Sequence, residues 1–188
     1  DHVNDEVVTP EFVNPASVDL TLGDEIGVYS DWVDIPFHPG QQSTLNFVED
    51  GRFFRALDRV FDIKEKPDLV RFKISSEKGW VLRPGIGYLA HTVERVKTDF
   101  FVPVLDGKSS IGRMFVKIHE TAGYGDPHFN GQYTLEVTAM HPIRIYPGMR
   151  FCQIRFHKIA GDVTPYDGNY TGEDARGPVA SKAWRQFK

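Results

Sequence analysis

The chain has 188 residues, 40% apolar, 13% aromatic and 26% charged, which fits one globular domain and excludes a disordered chain, a collagen or a coiled coil. Its formal charge of −4 is unevenly spread: residues 1–51 hold eleven Asp and Glu and no Lys or Arg, so the other 15 acids share the rest with all 22 bases. A pI near 6.0 argues against a nucleic-acid surface, and no apolar run approaches the roughly 18 residues that cross a bilayer.

Seventeen Gly and twelve Pro punctuate the chain, which predicts short strands joined by tight turns. The first strand candidates are Ser17–Leu22 and Val70–Ile74. Arg83-Pro84-Gly85 predicts a turn before a strand over Tyr88–Arg95, with Pro fixing φ and Gly accepting positive φ. Asp106-Gly107-Lys108-Ser109-Ser110 predicts one short helix running into Ile111–Val116, with a serine as N-cap. Gln132–Thr138 is the clearest strand: Tyr133, Leu135 and Val137 fall on one face, and Gln132, Thr134, Glu136 and Thr138 on the other. After a turn at Tyr146-Pro147-Gly148-Met149, the strand Phe151–His157 sets Cys152, Ile154 and Phe156 inward. From Pro165 the composition turns polar and Gly-rich, which predicts a mobile tail. One all-β domain, a barrel or jelly roll over residues 1–188 with its core at about 14–164 and its tail at 165–188, is the expected architecture.

Four segments can carry chemistry. From Val137 to Gly161 stand four bases and no acid, so the acidic front either folds against a basic remainder or leaves a focused positive site for a nucleotide phosphate. Glu136, in mid-strand, either faces solvent or sits in a pocket that suits it to proton shuttling. Gly107–Arg113 offers two hydroxyls, two cations and backbone N–H groups; it is either a surface turn or a phosphate site, and it lacks Walker spacing. The loop Thr121–Gly131 is either a long hairpin connection or a source of contacts, with Asp126 for a metal or water and Phe129 as a stacking surface. One cysteine excludes the zinc-deaminase pattern, no H-x-H pair supports a cupin metal site, and Rossmann glycines are absent. His119-Glu120 reads as structural or exposed, and Cys152 as a packing residue. Nothing at Asp1 reads as a leader, and a lone cysteine makes the cytoplasm the expected compartment.

These segments, in order, resemble the dCTP deaminase family. Leu105–Arg113 (LDGKSSIGR) is similar to its L-D-G-[RK]-S-S-L-[AG]-R signature, and Thr121–Glu136 (TAGYGDPHFNGQYTLE) to its TAGxxDPGFxGxxTLE segment. Asn14–Gly23, Leu82–Val96 and Ile143–Phe156 resemble its NPASVDLRLG, LxPGEFxLAxTxExV and LRLYPGMRIGQLxF stretches, so the likeness runs from about Asn14 to Ser181. It implies a distorted jelly-roll-like β barrel of the dUTPase-like type, assembled as a homotrimer with active sites between subunits. It also implies zinc-independent removal of the 4-amino group of dCTP to give dUTP and ammonia, with Mg2+ carried on the triphosphate and no direct protein ligand.

The resemblance assigns Glu136 to activating water and shuttling protons, and Ser109 and Arg113 to orienting water, base and carboxylate. Lys108 and Ser110 match phosphate contacts, Ala122 and Thr134 match the backbone that reads the pyrimidine, and Phe129 matches an aromatic beside the deoxyribose. Asp126 matches an aspartate near the sugar and the water path of bifunctional relatives, and Tyr166 a tail tyrosine at the triphosphate. The tail departs from the family's G-K-Y-Q-G-Q: Asn169 replaces its lysine and Glu173 its glutamine, with Arg176 or Lys182 as possible compensation. The leading expectation is a dCTP deaminase. The alternatives are a bifunctional enzyme giving dUMP and pyrophosphate, a plain dUTPase, and a non-catalytic nucleotide-binding regulator.

Overall fold

The computed structural model describes residues 2–3, 10–30, 47–49, 52–54, 61–172 and 175–188. Thirteen strands run in chain order among them: β1 (His2–Val3), β2 (Val18–Thr21), β3 (Glu25–Tyr29), β4 (Phe47–Glu49), β5 (Arg52–Phe54), β6 (Leu69–Lys73) and β7 (Trp80–Leu82), then β8 (Tyr88–Lys97), β9 (Phe101–Gly107), β10 (Val116–Lys117), β11 (Asn130–Ala139), β12 (Ile143–Ile145) and β13 (Arg150–Lys158). The α-helix α1 (Ser109–Gly112) is a single turn between β9 and β10. No described helix is long and apolar enough to cross a membrane.

The largest sheet has the order β10-β11-β8-β3-β6, with β1 also on β8; a second has the order β2-β13-β9. A bridge from Leu22 to Thr92 ties the two together. Alternating side chains from both sheets fill one core, in which Leu20, Leu22, Leu135, Val137, Phe151 and Ile154 are fully buried. Cys152 lies in that core, and burial pushes its thiol well above the usual value, so it packs and does not react. Both Pro-Gly turns form, with Gly85 at φ 79° and Gly148 at φ 77°.

Between Gln132 and Thr134 on β11, β8 advances from Arg95 to His91, so β8 carries a bulge. The Thr92 hydroxyl fills the gap, donating to the Glu94 carbonyl at 2.9 Å and accepting the Tyr133 N–H at 3.0 Å. The bulge turns the Glu94 carboxylate into the protein, where the Thr21 hydroxyl donates to it at 2.7 Å and the Thr21 N–H at 2.9 Å.

Two local expectations are corrected. The cap of α1 is Lys108, without a side-chain bond, and the helix stops at Gly112 because the chain must turn into β10; Phe115 there takes φ 55°. Phe156 is 39% exposed, because β13 outruns the core at its end, and its ring meets the Phe101 ring edge-on at 6.5 Å. The tail expected to be mobile lies docked along β11 in this structure. Gln132 N–H donates to the Ala175 carbonyl at 2.9 Å, Gly177 N–H to Gln132 Oε1 at 2.8 Å, and Val179 N–H to Thr134 Oγ1 at 3.1 Å. The chain ends in a 3-10 turn, Ala183–Phe187, whose Trp184 ring faces the Lys188 ammonium at 4.2 Å.

Candidate functional site

Strand alternation decides which side chains of β11 leave the core. Leu135 and Val137 are fully buried, so Thr134, Glu136 and Thr138 point the other way, into a cavity of about 760 Å³. Ala122 and Phe129 from the preceding loop form one wall; Tyr170, Val179 and Ser181 from the docked tail form another. Glu136 is exposed, so burial of this carboxylate is not supplied by the single chain. One of its oxygens is fixed all the same: Oε2 accepts the Glu120 N–H at 3.0 Å. The Glu120 carboxylate, on the same cavity, accepts from the Thr138 hydroxyl at 2.8 Å and from Lys117 at 3.3 Å.

The loop is held by its own geometry. Gly123 carbonyl accepts the Leu105 N–H and Gly125 N–H donates to Pro103 carbonyl, both at 2.7 Å, pinning the loop to β9. His128 takes φ 67°, where the family segment has glycine. Its N–H donates to Thr98 carbonyl at 2.7 Å and its ring stands 3.3 Å from Asp99. The Phe129 ring packs on Tyr133 at 4.9 Å, with Tyr166 behind it at 6.3 Å. Burial pushes the Tyr133 phenol well up, so it stays protonated.

The structure brings Glu136, Ala122, Phe129 and Thr134 together around one cavity. It does not bring Lys108, Ser109, Ser110, Arg113, Asp126 or Tyr166 onto the same wall. Ser109, Ser110 and Arg113 lie exposed on α1 and the turn after it. Lys108 departs most from its expected phosphate contact: its ammonium is ion-paired with Asp19, whose side chain is 1% exposed. Asn14 also donates to Asp19 at 3.0 Å, and Arg150 approaches it at 3.6 Å. Glu173 lies outside the described residues. Sequence reasoning missed Tyr29, Tyr170, Val179 and Ser181 as cavity residues; only the fold of the tail reveals the last three.

The sequence pattern of the dCTP deaminase-like family matches residues 1–159. The chain belongs to that family. Similar relatives include proteins described as "dCTP deaminase, dUMP-forming". That of Clostridium acetobutylicum is 44% identical over 131 residues, covering 69% of this chain and 74% of the relative. That of Leptospira biflexa is 35% identical over 161 residues, covering 85% and 76%. That of Clostridium botulinum is 34% identical over 183 residues, covering 94% and 89%. A crystal structure of 2'-deoxycytidine 5'-triphosphate deaminase from Agrobacterium tumefaciens shares the fold, with a TM-score of 0.52 and 24% identity over 79% of this chain. This chain spans 40% of the length of that one. The expected dUTPase-like all-β barrel holds.

Proposed function

We propose that this chain hydrolyses dCTP first at the base and then at the triphosphate, giving ammonia, dUMP and pyrophosphate with two waters consumed. The dUMP-forming relatives favour this over the leading expectation of dUTP as the end product. The observation that carries it is the Glu136 carboxylate, held through Oε2 by the Glu120 N–H and turned into a cavity between an aromatic loop and the docked tail.

The base lies between Phe129 and β11, with the backbone of Ala122 and Thr134 at its polar edge. Glu136 Oε1 takes a proton from water as its oxygen bonds to C4, and the proton passes to N3. The carboxylate then hands the second water proton to the amine, the C4–N4 bond breaks, ammonia departs and a C4 carbonyl remains. One fixed carboxylate serves as base and then acid, so no zinc is needed. In the second step water attacks the α-phosphorus and the α–β phosphoanhydride bond breaks; Asp126, exposed on the loop, is the candidate to position that water. Magnesium fits as an ion borne by the triphosphate oxygens, since no cluster of three or more His, Cys, Asp or Glu stands together among the described residues to hold it directly.

The exposure of Glu136, Ser109 and Arg113 supports catalysis in a homotrimer, which would shield the carboxylate and bring the serine and arginine to a second copy's cavity. A cytoplasmic setting suits the buried thiol of Cys152. The test is incubation with dCTP and magnesium, following ammonia, dUTP, dUMP and pyrophosphate. Equimolar ammonia and dUMP are expected, and Glu136→Gln should slow ammonia release by about 10²–10⁴. Accumulating dUTP without dUMP would restore the single-step reading, and no ammonia from dCTP would overturn the assignment.

A further inference from the structure

The turn that leads the loop into β11 carries a residue its geometry disfavours. Phe129 N–H donates to the Asp126 carbonyl at 3.2 Å, which closes a four-residue turn over Asp126-Pro127-His128-Phe129. Pro127 fixes a negative φ at the second position and His128 takes φ 67° at the third, which makes it a type II turn. Glycine meets that positive φ without steric cost, whereas a residue with a Cβ shifts the balance against it by about tenfold. The competing type I form needs only a rotation of the Pro127–His128 peptide, and it suits histidine.

Both ends of that peptide are engaged as the type II form sets them. His128 N–H donates to the Thr98 carbonyl at 2.7 Å, and the Pro127 carbonyl accepts the Tyr166 N–H at 3.0 Å, so a flip breaks two hydrogen bonds at once. Thr98 is a firm anchor: it is buried in the β8–β9 connection, and its hydroxyl accepts the Phe101 N–H at 3.2 Å. The histidine ring adds a third tie. Its Nδ1 stands 3.3 Å from Oδ1 of Asp99, the residue after Thr98. That oxygen is shut off from solvent and makes no well-aligned hydrogen bond among the described residues, with Lys97 Nζ at 3.7 Å. A proton on Nδ1 supplies the donor it lacks, whether the ring is neutral or charged.

We infer that His128 and Asp99 are positioning residues: their contact holds the turn in its type II form, and through it the two loop groups assigned to the substrate, Asp126 and Phe129. This rests on the proposed dCTP reading. Asp126, exposed at the first position of the turn, depends on it more heavily than Phe129, whose ring also packs on Tyr133 at 4.9 Å.

The experiment compares the full chain with Asp99→Ala, with His128→Ala, and with Asp99→Ala combined with His128→Gly. Amide hydrogen exchange without nucleotide, followed by NMR, reports the His128 and Tyr166 N–H groups. Both should exchange about tenfold faster in the two alanine variants, and glycine, which takes the positive φ unaided, should return them close to the parent rate. With dCTP and magnesium, dUMP formation should fall by about tenfold in the alanine variants and ammonia release by less, and the glycine double variant should recover both. If Asp99 served only the stability of its own connection, glycine at residue 128 would not rescue its loss, and that result would overturn the inference. So would parent-like exchange in both alanine variants, or faster exchange with dUMP formation unchanged. Exchange needs no reaction, so a parent chain that releases no ammonia from dCTP would sink the functional reading while exchange still decides whether the pair holds the turn.

Discussion

At the scale of single residues, Lys108 shows how a fold reassigns a charge. A buried carboxylate loses its hydration and must be repaid by partners, and Asp19 receives Lys108, Asn14 and Arg150. Lys108→Met should therefore lower the unfolding free energy without nucleotide by about 3 kcal/mol, the low end for breaking a buried pair while another cation remains nearby. Urea titration would read it; an unchanged midpoint would return Lys108 to a purely ligand-binding role. His91 offers a second test. Its Nδ1 donates to the Thr92 carbonyl at 2.9 Å, while buried Nε2 lies 3.9 Å from Asp24 Oδ1, with Glu25 and Lys73 also facing the ring. Burial holds its pKa below the ordinary 6.5. As pH falls through 6.5 the unfolded chain takes up this proton before the folded one, so stability present above that value drains away below it. His91→Asn keeps a donor for Thr92 and removes the titration. Its melting temperature should fall less between about pH 7.5 and 5.5 than that of the parent; parallel curves would show that His91 contributes nothing to the slope.

Among the elements, the docked tail is the most consequential. Gly131 permits it, since a Cβ there would stand 2.2 Å from the Ala175 Cβ and 3.1 Å from the Phe129 ring. Gly131→Ala should therefore push the tail away while the barrel stays folded, and tryptic cleavage at Arg176 and Lys182 should quicken by about tenfold or more, tracking the opened population. Unchanged cleavage would mean that the tail is held elsewhere. Which elements sequence could reveal follows from the range of the interactions that make them. β11 and both Pro-Gly turns were legible because period-2 alternation and positive φ are local. The tail was not, because its bonds join residues 45 apart, as in Gly177 to Gln132. The Asp19–Lys108 pair spans 89 positions and the β8 bulge depends on the register of a neighbouring strand, so neither leaves a pattern in its own segment. Of the candidate site, Glu136 and Thr134 on β11 and Ala122 and Phe129 on its loop were legible together; Ser109 and Arg113 match the family segment yet lie off the cavity wall of the single chain. Phe156 failed as a core residue because alternation reports a face and not where the opposing sheet ends.

For the molecule as a whole, the exposed apolar group beside Arg113 is where the proposed homotrimer would place a second copy. Met114, Phe115 and Met140 are 52%, 58% and 74% exposed, and Met140 N–H donates to the Phe115 carbonyl at 3.2 Å, so they form one patch. Light scattering should give three times 21.4 kDa. Phe115→Asp, with an aspartate that tolerates its φ of 55°, should yield folded monomers with little ammonia release. An active species of one chain's mass would remove the need for a shared site. Of the chain's three tryptophans Trp32 lies outside the described residues, and the placement of the other two offers an optical reporter. Trp80 is sealed in the core between Phe72 and Tyr88, where nucleotide cannot reach it. Trp184 rides on the docked terminal turn, its ring facing Arg185 and Lys188. If the tail moves when the proposed nucleotide binds, Trp184 emission will change with it, and stopped-flow fluorescence of a Trp32→Phe variant would time substrate capture and product escape separately from the chemistry between them.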